Sequence, residues 1–303
     1  ETVKLIDKKD EDNLSFEELF KFTLISLLCV FFRNNAIYMY MVLALATFLL
    51  PKKFWKKIFA CMLFVFVFYF VIKGPIFDAL NIKKSASAEY IGMPMQQIGR
   101  MAYKGVDFTK EEAKLLNEIM SIEDLKKAYN PKTSDGIKFN ENYNAREFNK
   151  NKLEYLKLYI SLVLKHPEIA VEAYMISTLG YWYPGVIHWT VATGIAKNTQ
   201  RLTLNPITTP LMDKIIQALG SRSAVILTIT WSIALCFWII LIFGYITKKR
   251  KGLKYIYAFV PVLGIWLTML LASPVYGEFR YIFGAYTCLQ LFVILPFIGE
   301  KKD

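Results

Sequence analysis

The sequence predicts an all-α protein, a polytopic transmembrane helix bundle of about six spans that carries a helical extracytoplasmic cap domain. Three observations lead there. Hydrophobic residues make up 55% of the 303 residues and gather into blocks separated by short charged links, not into the period of a soluble domain. Lys and Arg cluster in three of those links, at 51–57, 247–254 and 301–302, where positive charge stays on the cytoplasmic side of a membrane. The long polar stretch from Asn81 to Arg222 instead intersperses both signs, as a solvated surface does. Because the basic links account for the net charge of +12, no nucleic-acid partner is needed to explain it.

Residues 1–18 are charged and read as a cytoplasmic segment; opening at Glu1 without a Met, they read as part of a longer chain whose natural N-terminal part is absent. Leu19 to Phe32 and Ala36 to Leu50 are apolar runs meeting at Arg33-Asn34-Asn35. They form either one long helix broken at the asparagines or, in the reading preferred here, two helices with a tight polar turn. The second arrangement leaves Arg33 outside and Lys52, Lys53, Lys56 and Lys57 inside. Ile58 to Ile72 is a third span, closed by Lys73-Gly74-Pro75. Ala224 to Ile246, Tyr255 to Ala272 and Ile282 to Ile298 complete the set, long enough to cross a bilayer as helices. One orientation satisfies all three basic links: spans over 19–73 and 223–298, residues 74–222 extracytoplasmic, and a cytoplasmic tail at 299–303.

The outer segment is too long for a structureless loop. Thr109-Lys-Glu-Glu112 has capping-box spacing, and Leu115, Leu116, Ile119 and Met120 supply an apolar face behind it. Ser121 to Tyr129 reads as a short helix stopped at Asn130-Pro131, and 132–151, with an Asp135-Gly136 turn, as an exposed loop. Lys152 to Lys165 carries a helical period through Leu153, Leu156, Ile160, Val163 and Leu164. Pro167 opens a helix that runs to Leu179 and stops at Gly180, and Thr209-Pro210 starts a last one ending at Gly220.

The four cysteines all lie in apolar runs and read as small packing residues without a disulfide framework. With only two histidines, a zinc site of the usual ligand spacing is not expected, and no Gly-rich phosphate loop follows a strand. No cofactor is therefore expected, with a divalent metal left open.

Chemistry concentrates at Ser273 to Tyr281, Ser-Pro-Val-Tyr-Gly-Glu-Phe-Arg-Tyr, where Glu278 and Arg280 stand between two long apolar runs. An ionisable pair at a helix start beside lipid is by default a functional site; its bland rival is interfacial anchoring by a snorkelling Arg and by Tyr281. Tyr181, Trp182 and Tyr183, followed by His188, present aromatic faces on which sugar rings or headgroups dock, or else an interfacial belt. Gln96, Gln97 and Arg100 offer amide and guanidinium groups suited to hydroxyls and phosphate, unless they are one face of a solvated helix. Asp78, Glu89 and Glu278 are the candidate bases.

The Arg-Tyr pair at 280–281 resembles the element found near a late span in multi-pass glycosyltransferases of the GT-C architecture. Together with His-Pro-Glu-Ile-Ala-Val-Glu-Ala-Tyr at 166–174, Leu-Gly-Tyr-Trp-Tyr-Pro at 179–184 and Met-Pro-Met-Gln-Gln-Ile-Gly-Arg at 93–100, it resembles a bacterial GT-C-like membrane family, the domain of unknown function 6020. That resemblance covers 33–297. It implies transfer of a sugar from a polyprenyl-phosphate donor to a cell-envelope glycan or lipid acceptor on the extracytoplasmic face, among membrane lipids, with Arg280 as the phosphate partner. The chain departs from the GT-C pattern in having no acidic outer loop before Arg33. Either an absent N-terminal part carries the base, or Asp78, Glu89 or Glu278 does. The alternatives are a polysaccharide polymerase or ligase and, from a different class, a transporter or flippase of lipid-linked sugars.

Overall fold

The computed structural model describes residues 13–33, 36–82, 91–186, 198–201, 210–212, 214, 231–272 and 275–298. Every regular element among them is helical, and the extended pairing described is two isolated bridges, Asn130 with Thr133 and Thr133 with Val275.

Six helices make the apolar bundle. Helix α1 (Phe16–Phe32) begins at a capping box, in which the Ser15 hydroxyl accepts from the Glu18 N–H and the Glu18 carboxylate accepts from the Ser15 N–H. Helix α2 (Ala36–Ala46) tightens into a 3₁₀ turn at Thr47–Leu49, and Pro51 stands as the N-cap of α3 (Lys52–Val71). The sequence predicts a stop at Lys73-Gly74-Pro75, but the helix continues through a π turn, Ile72–Ile76, to Ala79. The wider π turn accommodates Pro75, which lacks the N–H that a regular α-helical bond requires.

The C-terminal group of the bundle, separated from α3 by the cap, is α9 (Ile233–Lys251), α10 (Val260–Ala272) and α11 (Phe279–Ile294). Each of the six predicted runs holds a helix among the described residues, the fourth only from Ile233, but just two of these helices are long and apolar enough to cross a membrane: α3 extended to Ala79, and α11 with its closing turn to Phe297. Helices α2 and α10 reach only about 16 and 20 Å at 1.5 Å per residue, against a hydrocarbon core of about 30 Å. Helix α9 gives its last turn to Lys248, Lys249, Arg250 and Lys251. The two long apolar helices support an association with a membrane.

Helix α1 packs on α2 and α3, α9 packs on α11, and the seam between the two groups is α2 against α10. The seam is close because Gly264 faces Met39, where a Cβ would lie 3.1 Å from the Met39 Cγ. Val30, Ile58, Val65, Phe237, Ile240 and Ile282 fill the interior, while Leu28, Leu63, Phe64, Trp238, Phe283 and Leu291 stand exposed. Apolar residues both inside and outside suit a bundle surrounded by hydrocarbon.

Two of the basic links, 51–57 and 247–254, meet at one end of this bundle. The Thr47–Leu49 turn packs against the Leu253–Ala258 turn, the Lys57 ammonium donates to the Leu14 carbonyl at 3.4 Å, and that of Lys251 donates to the Ile298 carbonyl. At the opposite end, Arg33 reaches the start of α11.

Among the described residues, seven segments of helix build the cap between the two groups: α4 (Gly92–Lys104), α5 (Lys110–Ile119), α6 (Ile122–Ala128), two short pieces at Asp135–Lys138 and Ala145–Lys150, α7 (Lys152–Lys165) and α8 (Pro167–Ser177). Helix α4 is central, contributing Met101 to one apolar cluster with Leu116, Tyr155 and Leu162, and Met95 and Ala102 to a second with Met120, Leu125 and Ile137. The predicted capping box of α5 is present, with the Glu112 N–H donated to the Thr109 hydroxyl at 3.3 Å and the Thr109 N–H donated to the Glu112 carboxylate at 2.9 Å.

Two expectations about the cap are corrected. The stretch 132–151 is not simply an exposed loop: it holds the two short helices, pinned by fully buried Ile137, which packs against Gly99. In α7 the inward face is Tyr155, Leu158 and Leu162, while Leu153, Leu156, Ile160 and Leu164 are exposed. That helix is apolar around most of its circumference, so periodicity alone could not choose the face. The helix predicted over Thr209–Gly220 lies mostly outside the described residues.

Candidate functional site

The loop before α11 is clamped to the cap by backbone. Gly180, in a 3₁₀ turn at Leu179–Tyr181 just after α8, donates its N–H to the Tyr276 carbonyl at 2.7 Å, and Tyr276 in turn donates to the Lys132 carbonyl at 2.9 Å. This approach requires glycine at position 180, whereas a Cβ at position 277 would find only ordinary contact distances. A Cβ on Gly180 would sit 2.6 Å from the Tyr276 oxygen and 2.8 Å from the Gly277 Cα, and one on Gly277 would meet the Gly180 Cα at 3.4 Å.

Tyr181, fully buried, secures the same loop from within. Its hydroxyl donates to the Val275 carbonyl and accepts the Glu278 N–H, each at 3.2 Å, while its own carbonyl accepts the Trp266 indole N–H at 2.7 Å. Residues 179–184 and 275–281, which the sequence marks separately, are therefore one structural unit.

This clamp places four side chains together at the bundle end opposite the basic links. Glu278 is the N-cap residue of α11 and its side chain is 7% exposed; its carboxylate lies 3.7 Å from the Arg280 Nε, on a side chain 67% exposed. Arg33, at the C-cap of α1, donates Nη1 to the Arg280 carbonyl at 3.0 Å. Both guanidiniums lie over the Tyr281 ring, that of Arg33 at 4.9 Å and that of Arg280 at 5.1 Å from its centre. The Arg33 Nη2 is buried and has no hydrogen-bond partner among the described residues.

Burial pushes the Arg33 pKa down, Tyr281 and Glu278 raise it, and Arg280 lowers it. Guanidinium ionisation lies so far above neutrality that the group stays cationic. Two cations and one carboxylate leave the cluster with a surplus positive charge beside the α11 N-terminus, the end of the helix dipole that favours an anion.

The other predicted residues are placed elsewhere. Tyr181 has no open face, which corrects its place in the expected aromatic stacking surface. The Trp182 indole donates to the Thr178 hydroxyl at 3.3 Å, its carbonyl accepts from Trp238 at 2.9 Å, and Tyr183 is half exposed.

Gln96, Gln97 and Arg100 are buried in the cap, not presented to a ligand. Gln96 donates to the Asn130 carbonyl and Gln97 to that of Ala170, both at 2.9 Å, while Arg100 pairs with Glu172 and donates to the Tyr129 hydroxyl at 3.1 Å. The hydrogen bond to Glu172 raises the Arg100 pKa and lowers that of the carboxyl, so this is a structural pair. Asp78 is exposed at the tip of the α3 extension, whereas Glu89 and His188 lie outside the described residues. No group of three or more His, Cys, Asp or Glu among the described residues could hold a metal ion.

Gly180, Gly277 and Lys132 escape a reading by side-chain chemistry because their contribution is made by backbone. The available signal was the repetition of Gly beside Tyr in Leu-Gly-Tyr and Tyr-Gly-Glu.

A family model, Family of unknown function (DUF6020), matches residues 1–303. No curated protein and no solved structure matches the chain.

Proposed function

The chain belongs to the family of unknown function DUF6020, and from its Arg33–Arg280 cluster we propose a multi-pass membrane protein that binds the phosphate of a lipid-linked sugar and transfers that sugar to a cell-envelope acceptor. The observation that carries the reading is the convergence of two guanidiniums on Tyr281 at the end of the bundle remote from the basic links. With those links on the cytoplasmic side, the cluster and the cap face the extracytoplasmic side, as positive-inside orientation requires. The GT-C-like reading from the Arg-Tyr element belongs to this proposal.

A guanidinium fork can hold two phosphate oxygens, and it remains charged beside lipid. In the proposed reaction the acceptor hydroxyl attacks the anomeric carbon, its proton passes to a carboxylate, and the bond from that carbon to the phosphate oxygen breaks. The leaving phosphate keeps the electron pair, its charge held by Arg33 and Arg280. Glu278 is the base candidate beside the arginines; Asp78 stands apart at the helix tip.

The test is binding of a polyprenyl-phosphate analogue to purified protein in lipid nanodiscs, with melting temperatures measured alongside. Arg280→Gln and Arg33→Gln should each stay folded and lose about 1.5–3 kcal/mol of binding, the range for a hydrogen bond to a charged group. Glu278→Gln should bind the analogue and fail to transfer sugar. Undiminished binding by folded Arg280→Gln refutes the phosphate site. Lost stability that Glu278→Gln restores in the double variant identifies a structural ion pair instead.

A further inference from the structure

Positive charge gathers at the end of the bundle remote from the Arg33–Arg280 cluster. Links 51–57 and 247–254 hold nine Lys and Arg residues and no Asp or Glu. Two 3₁₀ turns bring these links together, because Thr47–Leu49, just before Pro51, packs against Leu253–Ala258. Lys52 and Lys56, one turn apart on α3, are exposed there, as are Lys248 and Lys249 at the end of α9. Like charges held at one end of a bundle repel one another, so the arrangement favours a bound anion.

Four of these cations lie over aromatic rings. The Arg250 guanidinium is 4.7 Å from the centre of the Phe297 ring and the Lys249 ammonium 5.7 Å from that of Tyr245, while the ammoniums of Lys251 and Lys254 are 5.3 and 5.5 Å from that of Tyr255. In the first link the Trp55 indole donates to the Leu50 carbonyl at 2.8 Å, and the Phe48 ring meets it edge-on at 4.8 Å. Aromatic rings and long-stemmed cations are the groups that occupy the boundary between hydrocarbon and headgroup.

An apolar border separates this surface from an ordinary basic patch. Phe48, Tyr245, Leu253 and Phe297 are exposed, and Ile242, one turn before Tyr245 on α9, continues the apolar strip along the bundle wall. A ligand that fits presents anionic oxygens to the cations and hydrocarbon to the rings beside them. A nucleic acid or an acidic peptide offers the charge without the hydrocarbon; a phospholipid with a negative headgroup offers both.

We infer that this end of the bundle binds anionic phospholipid, with Lys52, Lys56, Lys248 and Lys249 holding headgroup phosphate and Tyr245 and Phe297 lying along the acyl chains. The surface is separate from the Arg33–Arg280 cluster and stands independently of the transferase reading.

Electron spin resonance on the full chain in phosphatidylcholine vesicles tests it, read as the fraction of a chain-labelled lipid whose motion the protein restricts. Labelled phosphatidylglycerol should be restricted several-fold more than labelled phosphatidylcholine, and about 1 M salt, which shortens the screening length to about 3 Å, should remove most of that preference. Lys52→Gln with Lys56→Gln, and Lys248→Gln with Lys249→Gln, should each reduce the preference, while leaving other cations in the link to keep the orientation. Lys110→Gln with Lys114→Gln, on exposed positions of cap helix α5, should not. Millimolar inorganic phosphate at matched ionic strength should leave the preference unchanged. Equal restriction of the two lipids by the native chain overturns the site, whether or not the variants fold. So does a preference that survives high salt, that either link pair leaves intact, that the cap pair reduces equally, or that inorganic phosphate abolishes.

Discussion

Replacing Gly180 with Ala tests whether the cap positions the charged cluster. The added Cβ would lie 2.6 Å from the Tyr276 carbonyl oxygen and 2.8 Å from the Gly277 Cα, both main-chain atoms that no rotamer change can move aside. Opening 2.6 Å to the ordinary contact distance of 3.4 Å requires the two segments to part by about 0.8 Å. The hydrogen bond from the Gly180 N–H to Tyr276 lengthens with that displacement, and the Val275–Glu278 loop moves at the root of α11. Overpacking of this kind costs roughly 1–3 kcal/mol of stability. Displacing a binding group by about 1 Å can cost on the order of a hundredfold in function. Gly180→Ala should therefore melt a few degrees lower but lose most binding of the polyprenyl-phosphate analogue. Gly284→Ala is the control: it lies in α11 close to the cluster, with nothing within 4 Å of its would-be Cβ, and should bind as the native chain does. Native affinity in Gly180→Ala would refute the positioning argument, as would an equal loss in the control.

Two further outcomes follow from other parts of the molecule. Lys165 holds the Glu112 carboxyl below its ordinary value, so its contribution to stability is present above the unfolded pKa and is lost as pH falls through the lowered folded one. Thermal melts across the acidic range should show the cap weakening there, and Glu112→Gln should flatten that dependence; an unchanged acid profile would show that the pair does not contribute. In a background without native cysteines, Glu141→Cys in the cap should react with an impermeant thiol reagent on intact cells and Lys249→Cys should not, and the reverse pattern would overturn the proposed orientation and with it the reading of the cluster.

Helix positions were legible in the sequence where one residue decides them. Thr109 and Glu112 cap α5, and Pro167 opens α8, because each satisfies or removes a particular end group. The face of α7 was not legible, since Leu153, Leu156 and Ile160 compete with Tyr155, Leu158 and Leu162 for the same core and the packing of α4, α5 and α8 decides between them. Gln96, Gln97 and Arg100 misled for a related reason: groups suited to a ligand are equally suited to tying α4 to the Asn130 carbonyl, to α8 and to Tyr129. The candidate site was legible in its charges but not in its assembly. Glu278 and Arg280 announce themselves between apolar runs, whereas Arg33, 247 residues away, joins them only because α1 ends level with the start of α11. Tyr181 shows the same limit from the other side. Its chemistry suggested a surface for sugar, but the hydroxyl that made it attractive is the atom that holds the Glu278 N–H and the Val275 carbonyl. A group able to bind a ligand is also able to bind the fold, and burial decides which. In this chain burial assigns Tyr181 to the fold and leaves Arg280 exposed, so the guanidinium is open to a ligand where the buried phenol is not.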